Sequence, residues 1–331
     1  MQVEGTLLLG RSDVDRLLGL RDCIDAVENA FRLQGQGKIS APGILGVKVA
    51  GGGLHVKTSV FSADRHYIVA KLNTNFPQNR ERFHLPTIQG VIVVCDAKKG
   101  VPLAILDSID ITIKRTAAAS AVAAKYLARK DSSVATIGGC GQQGRAQLRA
   151  VLLVLPLTKI YAFDVNERAA IDFRKEFLPE LKIDIEPVHN LASAIQNSDV
   201  CITCTTANEP FVRKEDVRPG TFIAAVGADD GHKQEIDSAL IASAKVVADS
   251  LEQSCAIGDV HHAIAHGLMR KQDVYAELCE IVADQKLGRV ANDEIFVFDS
   301  TGVAIEDSVA AAGVYEKALA NGVGINCDFA A

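Results

Sequence analysis

The residues with the clearest chemical purpose lie between Val134 and Asp164. Val134-Ala135-Thr136-Ile137 is a short β-branched run, and Gly139-Cys140-Gly141-Gln142-Gln143-Gly144 follows in the spacing G-x-G-x-x-G. A helix-like stretch, Arg145 to Leu155, comes next, and a second apolar run, Lys159 to Phe163, ends in Asp164. Strand, glycine turn, helix, strand and acid, in that order, form the fingerprint of a dinucleotide fold. The glycines let backbone N–H groups, those of Gln142 and Gln143 included, approach a pyrophosphate at a helix N-terminus. Asp164 is placed to accept hydrogen bonds from an adenosine ribose diol, and its charge repels a 2′-phosphate. Val165 and Asn166, not an arginine, follow it. The pattern therefore favours NAD(H), with NADP(H) kept as an alternative because Arg168 is near.

Open parallel sheets bind ligands at the carboxyl ends of their strands. Thr205-Thr206, Gly227 to Asp230, Asp249-Ser250 and Asp299-Ser300-Thr301-Gly302 each follow an apolar run, so these loops are expected to rim a nicotinamide. Asp229 is the favoured carboxylate, able to accept a proton from an amine or to activate water. The competing reading is a turn or helix-cap aspartate. Lys71 ends another apolar run, and Arg115, beside Thr116, opens an alanine-rich stretch. Either cation could hold a carboxylate, Arg115 in bidentate fashion; by pattern alone each also reads as a solvated surface charge.

The elements that must position these groups can be read from periodicity. Ser12 to Gly37 is helical, with Ser12 as N-cap and Val14, Leu17, Leu18, Ile24, Val27 and Phe31 as its apolar face. Strand-like runs follow at Gly46–Val49, Leu54–Val60, Tyr67–Leu72, Val91–Cys95 and Val101–Ile109, and Thr112 to Arg129 is helical. After Asp164, helices are expected at Glu167–Phe177, Leu191–Gln196, Asp259–Leu268 and Val274–Val282. Strands are expected at Ile183–Val188, Val200–Thr205, Thr221–Val226, Lys245–Ala248 and Glu294–Phe298. This βαβ rhythm predicts a parallel sheet. Ser308 to Asn321 reads as a terminal helix that returns to the first domain.

The 331 residues are enough for two domains, and 48% hydrophobic with 23% charged residues is ordinary for a soluble globular protein. A net charge of −6 without a long basic run argues against a nucleic-acid partner. No secretory signal or membrane-length apolar stretch is seen, and the eight cysteines are dispersed, which fits reduced thiols in a cytoplasm. Cys201 and Cys204 spell C-x-x-C inside a buried strand pattern, and His262 and His266 stand four apart without the glutamate of H-E-x-x-H. No metal is expected at either place. Tyr126 and Lys130 spell Y-x-x-x-K, but ahead of the glycine turn, and are set aside.

A set of ordered motifs resembles the ornithine cyclodeaminase/mu-crystallin family. It begins with Lys71-Leu72-Asn73, Asn79, Leu85-Pro86-Thr87, Asp96, Gly100-Val101-Pro102-Leu103-Ala104, Asp107 and Thr112-Ile113-Lys114-Arg115-Thr116-Ala117-Ala118. It continues with the glycine turn, Pro219-Gly220, Val226-Gly227-Ala228-Asp229, Glu235-Ile236-Asp237, Asp249-Ser250, Gly258-Asp259, Asp299-Ser300-Thr301-Gly302 and Glu306-Asp307. The resemblance runs from about Leu8 to Asn321. It implies an α/β chain: a Rossmann NAD-binding domain over 116–307, and an α+β N-terminal substrate and dimerisation domain formed by 1–115 and 308–331. It further implies a homodimer, with Lys71 and Arg115 on a substrate α-carboxylate and Asp229 serving the reacting amine.

One departure stands out. The family carries an additional carboxylate-binding arginine in a Pro-x-Arg-like segment, where this chain reads Ser40-Ala41-Pro42-Gly43-Ile44. His55 and Lys57 alternate onto one face of the Leu54–Val60 strand, so Lys57 is expected to supply the missing charge and His55 to line the same site; the competing reading is a solvated strand face. The resulting expectation is an NAD(H)-dependent oxidoreductase acting at the α-carbon of a small amino or imino acid. The cofactor contacts expected are Gly139, Gly141, Gln142, Gln143, Gly144, Asp164, Thr205, Thr206, Thr116 and Ser300. Lys71 and Asp229 are expected to serve the chemistry, and Lys71, Arg115, Lys57 and His55 to bind substrate. The rivals are a cyclodeaminase that recycles NAD internally and a non-catalytic ligand-binding protein.

Overall fold

The structure is a computed structural model that describes residues 5–39, 44–62 and 65–329. Its first elements are β1 (Thr6–Leu9), α1 (Arg11–Leu17), α2 (Leu20–Gly35), β2 (Leu45–Val49), β3 (Gly52–Ser62) and β4 (His66–Asn75). Then come α3 (Asn79–Phe83), β5 (Ile88–Asp96), β6 (Pro102–Asp107), α4 (Ile109–Leu127), β7 (Val134–Gly138), α5 (Gln142–Val151) and β8 (Lys159–Phe163). The middle holds α6 (Glu167–Phe177), β9 (Asp184–Pro187), α7 (Leu191–Gln196), β10 (Val200–Thr203), β11 (Phe222–Ala225) and α8 (Ser238–Ser243). The last are β12 (Lys245–Ala248), α9 (Leu251–Ile257), α10 (Asp259–Ala265), β13 (Ala276–Glu277), α11 (Leu278–Val282), β14 (Phe296–Asp299), α12 (Ala304–Asn321) and β15 (Ile325–Cys327). The chain divides into two compact units, Met1–Arg115 with Val303–Ala331, and Thr116–Gly302.

The first unit is a seven-stranded sheet in the order β15-β1-β6-β5-β4-β3-β2. Among the described residues only β1 and β6 pair in parallel here; the other neighbours are antiparallel. Alternation sends Phe61, Tyr67, Val69, Ile92 and Val94 to one buried face, on which α12 packs. Their neighbours Val60, Ile68 and Val91, with Leu45, Val47 and Val49 of β2, leave an apolar opposite face exposed.

The second unit is an eight-stranded sheet in the order β13-β12-β14-β11-β10-β7-β8-β9, every pair parallel. Its strands are short runs buried on both faces, as a sheet flanked by helices requires. Strand order reverses between β7 and β10, which is the switch point where a Rossmann-type sheet opens for its ligand.

Several expected elements differ. The helix anticipated over Ser12–Gly37 is two helices, because Leu18 leaves helical dihedrals and Gly19 starts the second; Gly10, not Ser12, is the first N-cap. The strand expected to Ile109 stops at Asp107, whose Oδ1 accepts the Ile109 N–H at 3.0 Å and so opens α4. Val274–Val282 is not one helix but β13, pairing with β12, followed by α11. The last helix begins at Ala304 rather than Ser308, so the second unit boundary falls at 302/303, ahead of the expected 307/308, and Glu306 and Asp307 belong to the first unit. Residues 40–43, where the family arginine is missing, lie outside the described residues.

Candidate functional site

The glycine turn sits on the carboxyl end of β7. Gly139 adopts a φ of +101°, open to glycine at little cost. A Cβ on Gly144 would lie 2.0 Å from the Gly139 carbonyl oxygen, so helix and turn touch backbone to backbone. Gly141 is the N-cap of α5 and offers no side-chain acceptor, which leaves the first N–H groups of that helix for a ligand. A Cβ on Gly141 would meet nothing within 4 Å, so the space above the turn is open. Asp164 is fixed beside it: Oδ2 accepts the Cys140 N–H at 2.8 Å and Oδ1 the Asn166 N–H at 2.9 Å. Each oxygen keeps a second lone pair for a hydroxyl. Arg168 is turned toward Asp172, 3.1 Å away, on an exposed face.

Thr205 also reaches this turn; its Cγ2 lies 3.1 Å from where a Gly139 Cβ would be. Thr206 next to it is exposed, and Thr116 is buried on α4. Ser300, just past β14, is 2% exposed, and its Oγ has no partner among the described residues; the same holds for the buried Gln143 Oε1. Buried polar atoms are normally satisfied, and a bound dinucleotide would supply both. The turn, the uncapped helix, the acid and these two atoms fit such a group.

The first unit holds a separate cluster of charge. Lys57 and Lys71 are direct cross-strand partners on β3 and β4, on the face that α12 covers. Lys71 is 4% exposed; its Nζ is 2.7 Å from Asp307 Oδ2 and 3.4 Å from Thr112 Oγ1. Arg115, equally buried, donates from Nε to Asp307 Oδ1 at 2.9 Å and from Nη1 to Glu306 Oε2 at 2.7 Å. Ser59 Oγ donates to Ser308 Oγ at 2.6 Å and pins α12 to β3. Burial pushes the Lys71 ammonium down to about 7; Asp307 opposes this, while Arg115 and Lys57 add to it. Burial also works against the Arg115 charge, but Asp307 and Glu306 outweigh it and hold the guanidinium above its ordinary value. Asp307 shows the mirror effect: burial would raise it, and Arg115, Lys71 and Lys57 keep it below the ordinary carboxylate range.

Lys71 and Arg115 are therefore buried and paired, not solvated. Lys57 is half-buried beside them, and His55, opposite Asn73 in the β3–β4 register, is exposed. Glu306 and Asp307 are the partners that pattern reading did not assign. Their signal in the sequence was their place among the family motifs; the structure shows them as an acidic pair in the first turn of the last helix.

Asp229 lies in the other unit, on the loop after β11. Its N–H closes a tight turn on the Gly227 carbonyl, and its exposed carboxylate pairs with Lys233 at 2.5 Å. Both readings of Asp229, turn residue and available carboxylate, thus describe the same side chain. His262 contacts the Lys233 carbonyl at 2.9 Å, His266 contacts Ser238 Oγ at 3.0 Å, and His261 contacts the Cys255 carbonyl at 3.3 Å. Among the described residues no group of three or more His, Cys, Asp or Glu side chains could hold a metal, and no helix is long and apolar enough to cross a membrane. Sequence reasoning also assigned no role to Glu235 and Asp259, which are buried at the carboxyl end of this sheet together with Asp299, a residue of a loop expected to rim the nicotinamide.

Comparison with known proteins shows the family and the fold. The chain is 36% identical over 325 residues to an alanine dehydrogenase of Archaeoglobus fulgidus, covering 98% of each. Among solved structures, an archaeal alanine dehydrogenase dimer with bound NAD superposes with a TM-score of 0.94 at 36% identity, covering 98% of this chain and 99% of that one. The Δ1-pyrroline-2-carboxylate reductase of Thermococcus litoralis, in complex with NADH and L-proline, superposes with a TM-score of 0.93 at 38% identity, covering 97% of this chain and 100% of that one. The profile of the ornithine cyclodeaminase/mu-crystallin family matches residues 4–322, and the chain belongs to that family.

Proposed function

We propose that the protein is an NAD(H)-dependent oxidoreductase acting at the α-carbon of a small amino or imino acid. The observation that carries this reading is the cationic face of the first unit, where Lys71 and Arg115 are buried and oriented by Asp307 and Glu306 with Lys57 alongside. Both cations retain donors beyond these bonds, so they can take a substrate carboxylate without rebuilding the cluster. In the second unit, Gly139, Gly141, Gln142, Gln143 and Gly144 would hold the pyrophosphate and Asp164 the ribose. Thr205, Thr206, Thr116 and Ser300 would contact the remainder of the cofactor. The nicotinamide, when bound, supplies or accepts the hydride. The chain's own work is then positioning and proton handling: Lys71 and Arg115 fix the carboxylate, Lys57 and His55 complete that face, and Asp229 gives or takes the proton on the substrate nitrogen.

Asp164 and the diverted Arg168 support NAD(H) over NADP(H). The exposed apolar face of Val60, Ile68, Val91, Leu45, Val47 and Val49 supports a homodimer, because monomers rarely leave so large an apolar sheet face to water. The reading sets the enzyme in the cytoplasm, where its free cysteines stay reduced.

The test is a panel with purified protein. NADH is offered with pyruvate plus ammonia and with Δ1-pyrroline-2-carboxylate; NAD⁺ is offered with L-alanine, L-proline and L-ornithine. NADH change in step with substrate supports the reading. Ammonia release from ornithine without net NADH would replace it with a cyclodeaminase. Silence throughout, with tight ligand binding, would replace it with a binding protein.

A further inference from the structure

Glu235 is fully buried, yet among the described residues no Lys or Arg forms an ion pair with it. Its carboxylate is instead surrounded by donors from two loops. Oε1 accepts the Thr205 N–H at 2.6 Å; Oε2 accepts the Thr203 hydroxyl at 2.7 Å and the Gly227 N–H at 2.8 Å. One loop follows β10 and carries Thr205 and Thr206. The other follows β11 and carries Asp229. A Cβ on Gly227 would come within 2.4 Å of the Glu235 carboxyl group, so glycine is what admits the carboxylate here.

Glu235 is itself held in place. Its N–H and that of Ile236 both donate to Asp259 Oδ1 at 2.9 Å. The N–H groups of Asp259 and Val260 in turn donate to Asp299 at 3.2 and 3.1 Å. Three buried carboxylates thus run in line beneath the carboxyl ends of β10, β11 and β14, each fixed by backbone N–H groups. Burying carboxylates is costly, and apolar residues of similar volume commonly give more stability. Their concentration at loop junctions is better explained by geometry than by stability.

We propose that Glu235 is a positioning residue, fastening the loop of Thr205 to the loop of Asp229 so that cofactor contacts and acid keep a fixed spacing. The proposal rests on the function assigned above, and it separates from that function experimentally. Glu235→Gln keeps the side-chain shape but replaces one oxygen with an NH₂ group. That group cannot accept, so either Thr205 N–H or Gly227 N–H loses its acceptor whichever way the amide turns. Thr203→Val removes only the hydroxyl and leaves both loop bonds.

The experiment measures kcat at saturating NADH, the NADH dissociation constant by fluorescence, the thermal midpoint, and amide exchange in the wild-type enzyme. E235Q is expected to lose about 10- to 100-fold in kcat, because misplacement of the order of an ångström costs that much. Its NADH affinity should change less than about threefold if the amide keeps its oxygen on Thr205. T203V should retain kcat within about threefold of wild type, since both loop bonds survive. In wild type the Thr205 and Gly227 amides should be protected to the same degree, a result that stands even if E235Q fails to fold. E235Q with wild-type kcat, or amides exchanging independently at open-loop rates, would overturn the proposal. If the wild-type enzyme turned over nothing in the panel while the two amides exchanged together, the function would fall and the tie between the loops would stand.

Discussion

Lys71 should make carboxylate binding pH-dependent around and above neutrality. Its ammonium is pushed down to about 7 by burial, with Arg115 and Lys57 adding to the effect against Asp307. A group with that value is mostly charged at pH 6 and about 1% charged at pH 9. If only the charged form grips an anion, affinity falls about tenfold per pH unit above the midpoint. Between pH 6 and 9 the loss approaches 100-fold, or about 2.7 kcal/mol. Arg115 remains charged throughout and so supplies no slope of its own. The probe should carry no amine; propionate, for example, is a singly charged carboxylate over this whole range, since carboxyls titrate near ~4. Its dissociation constant from the enzyme–NADH complex, read by NADH fluorescence from pH 6 to 9, tests the argument. Lys71→Met should bind propionate weakly at pH 6 and show no slope. A wild-type constant that moves less than about threefold across the range would refute the assignment of Lys71 as an anion-binding group that titrates there.

Asp307→Asn leaves two buried cations short of a counter-charge. It should cost about 3–5 kcal/mol in urea unfolding, and a loss under 1 kcal/mol would mean that solvent reaches the cluster. Asp164→Ser removes the charge that opposes a 2′-phosphate; the ratio of kcat/KM for NADPH over NADH should rise about tenfold or more, and an unchanged ratio would exclude Asp164 from cofactor choice. Val60→Glu with Ile68→Glu places charge on the open sheet face, where each side chain is about 40% exposed and the fold should survive. If the proposed homodimer forms on that face, sedimentation should show a dimer for wild type and a monomer for the variant; a variant that remains dimeric would place the interface elsewhere.

How far the sequence could be read depended on the range of the interactions. The glycine turn, β8, α6, α7 and β12 stand where local patterns put them, since a turn or an apolar run is specified by neighbours. The break between α1 and α2 escaped because the apolar periodicity continues across Leu18 while Gly19 restarts the helix. β1 and β15 escaped because such short strands exist by pairing: Thr6 lies opposite Cys327 at the far end of the chain. β13, two residues long, is likewise made by its register with β12.

The same reasoning applies to the charged site with greater force. Lys71 and Arg115 were visible as cations, and by pattern alone they looked solvated. What joins them in one buried cluster is a carboxylate pair 191 and 192 residues beyond Arg115, brought in by the last helix. Without Glu306 and Asp307, two buried like charges would repel and neither would hold a fixed direction. With them, Arg115 is locked in its charged form and Lys71 is left near its titration point. On the proposed function, a substrate carboxylate arriving there would meet dipoles and charges already oriented, and its negative charge would favour the charged form of Lys71. Preorganisation of this kind is what makes buried charge effective in catalysis. On that proposal α12, through Glu306 and Asp307, belongs to the substrate site as much as the strand that bears Lys71. Substitutions at Ser308, which pins that helix to Ser59, should therefore reach the substrate through Asp307 without touching it.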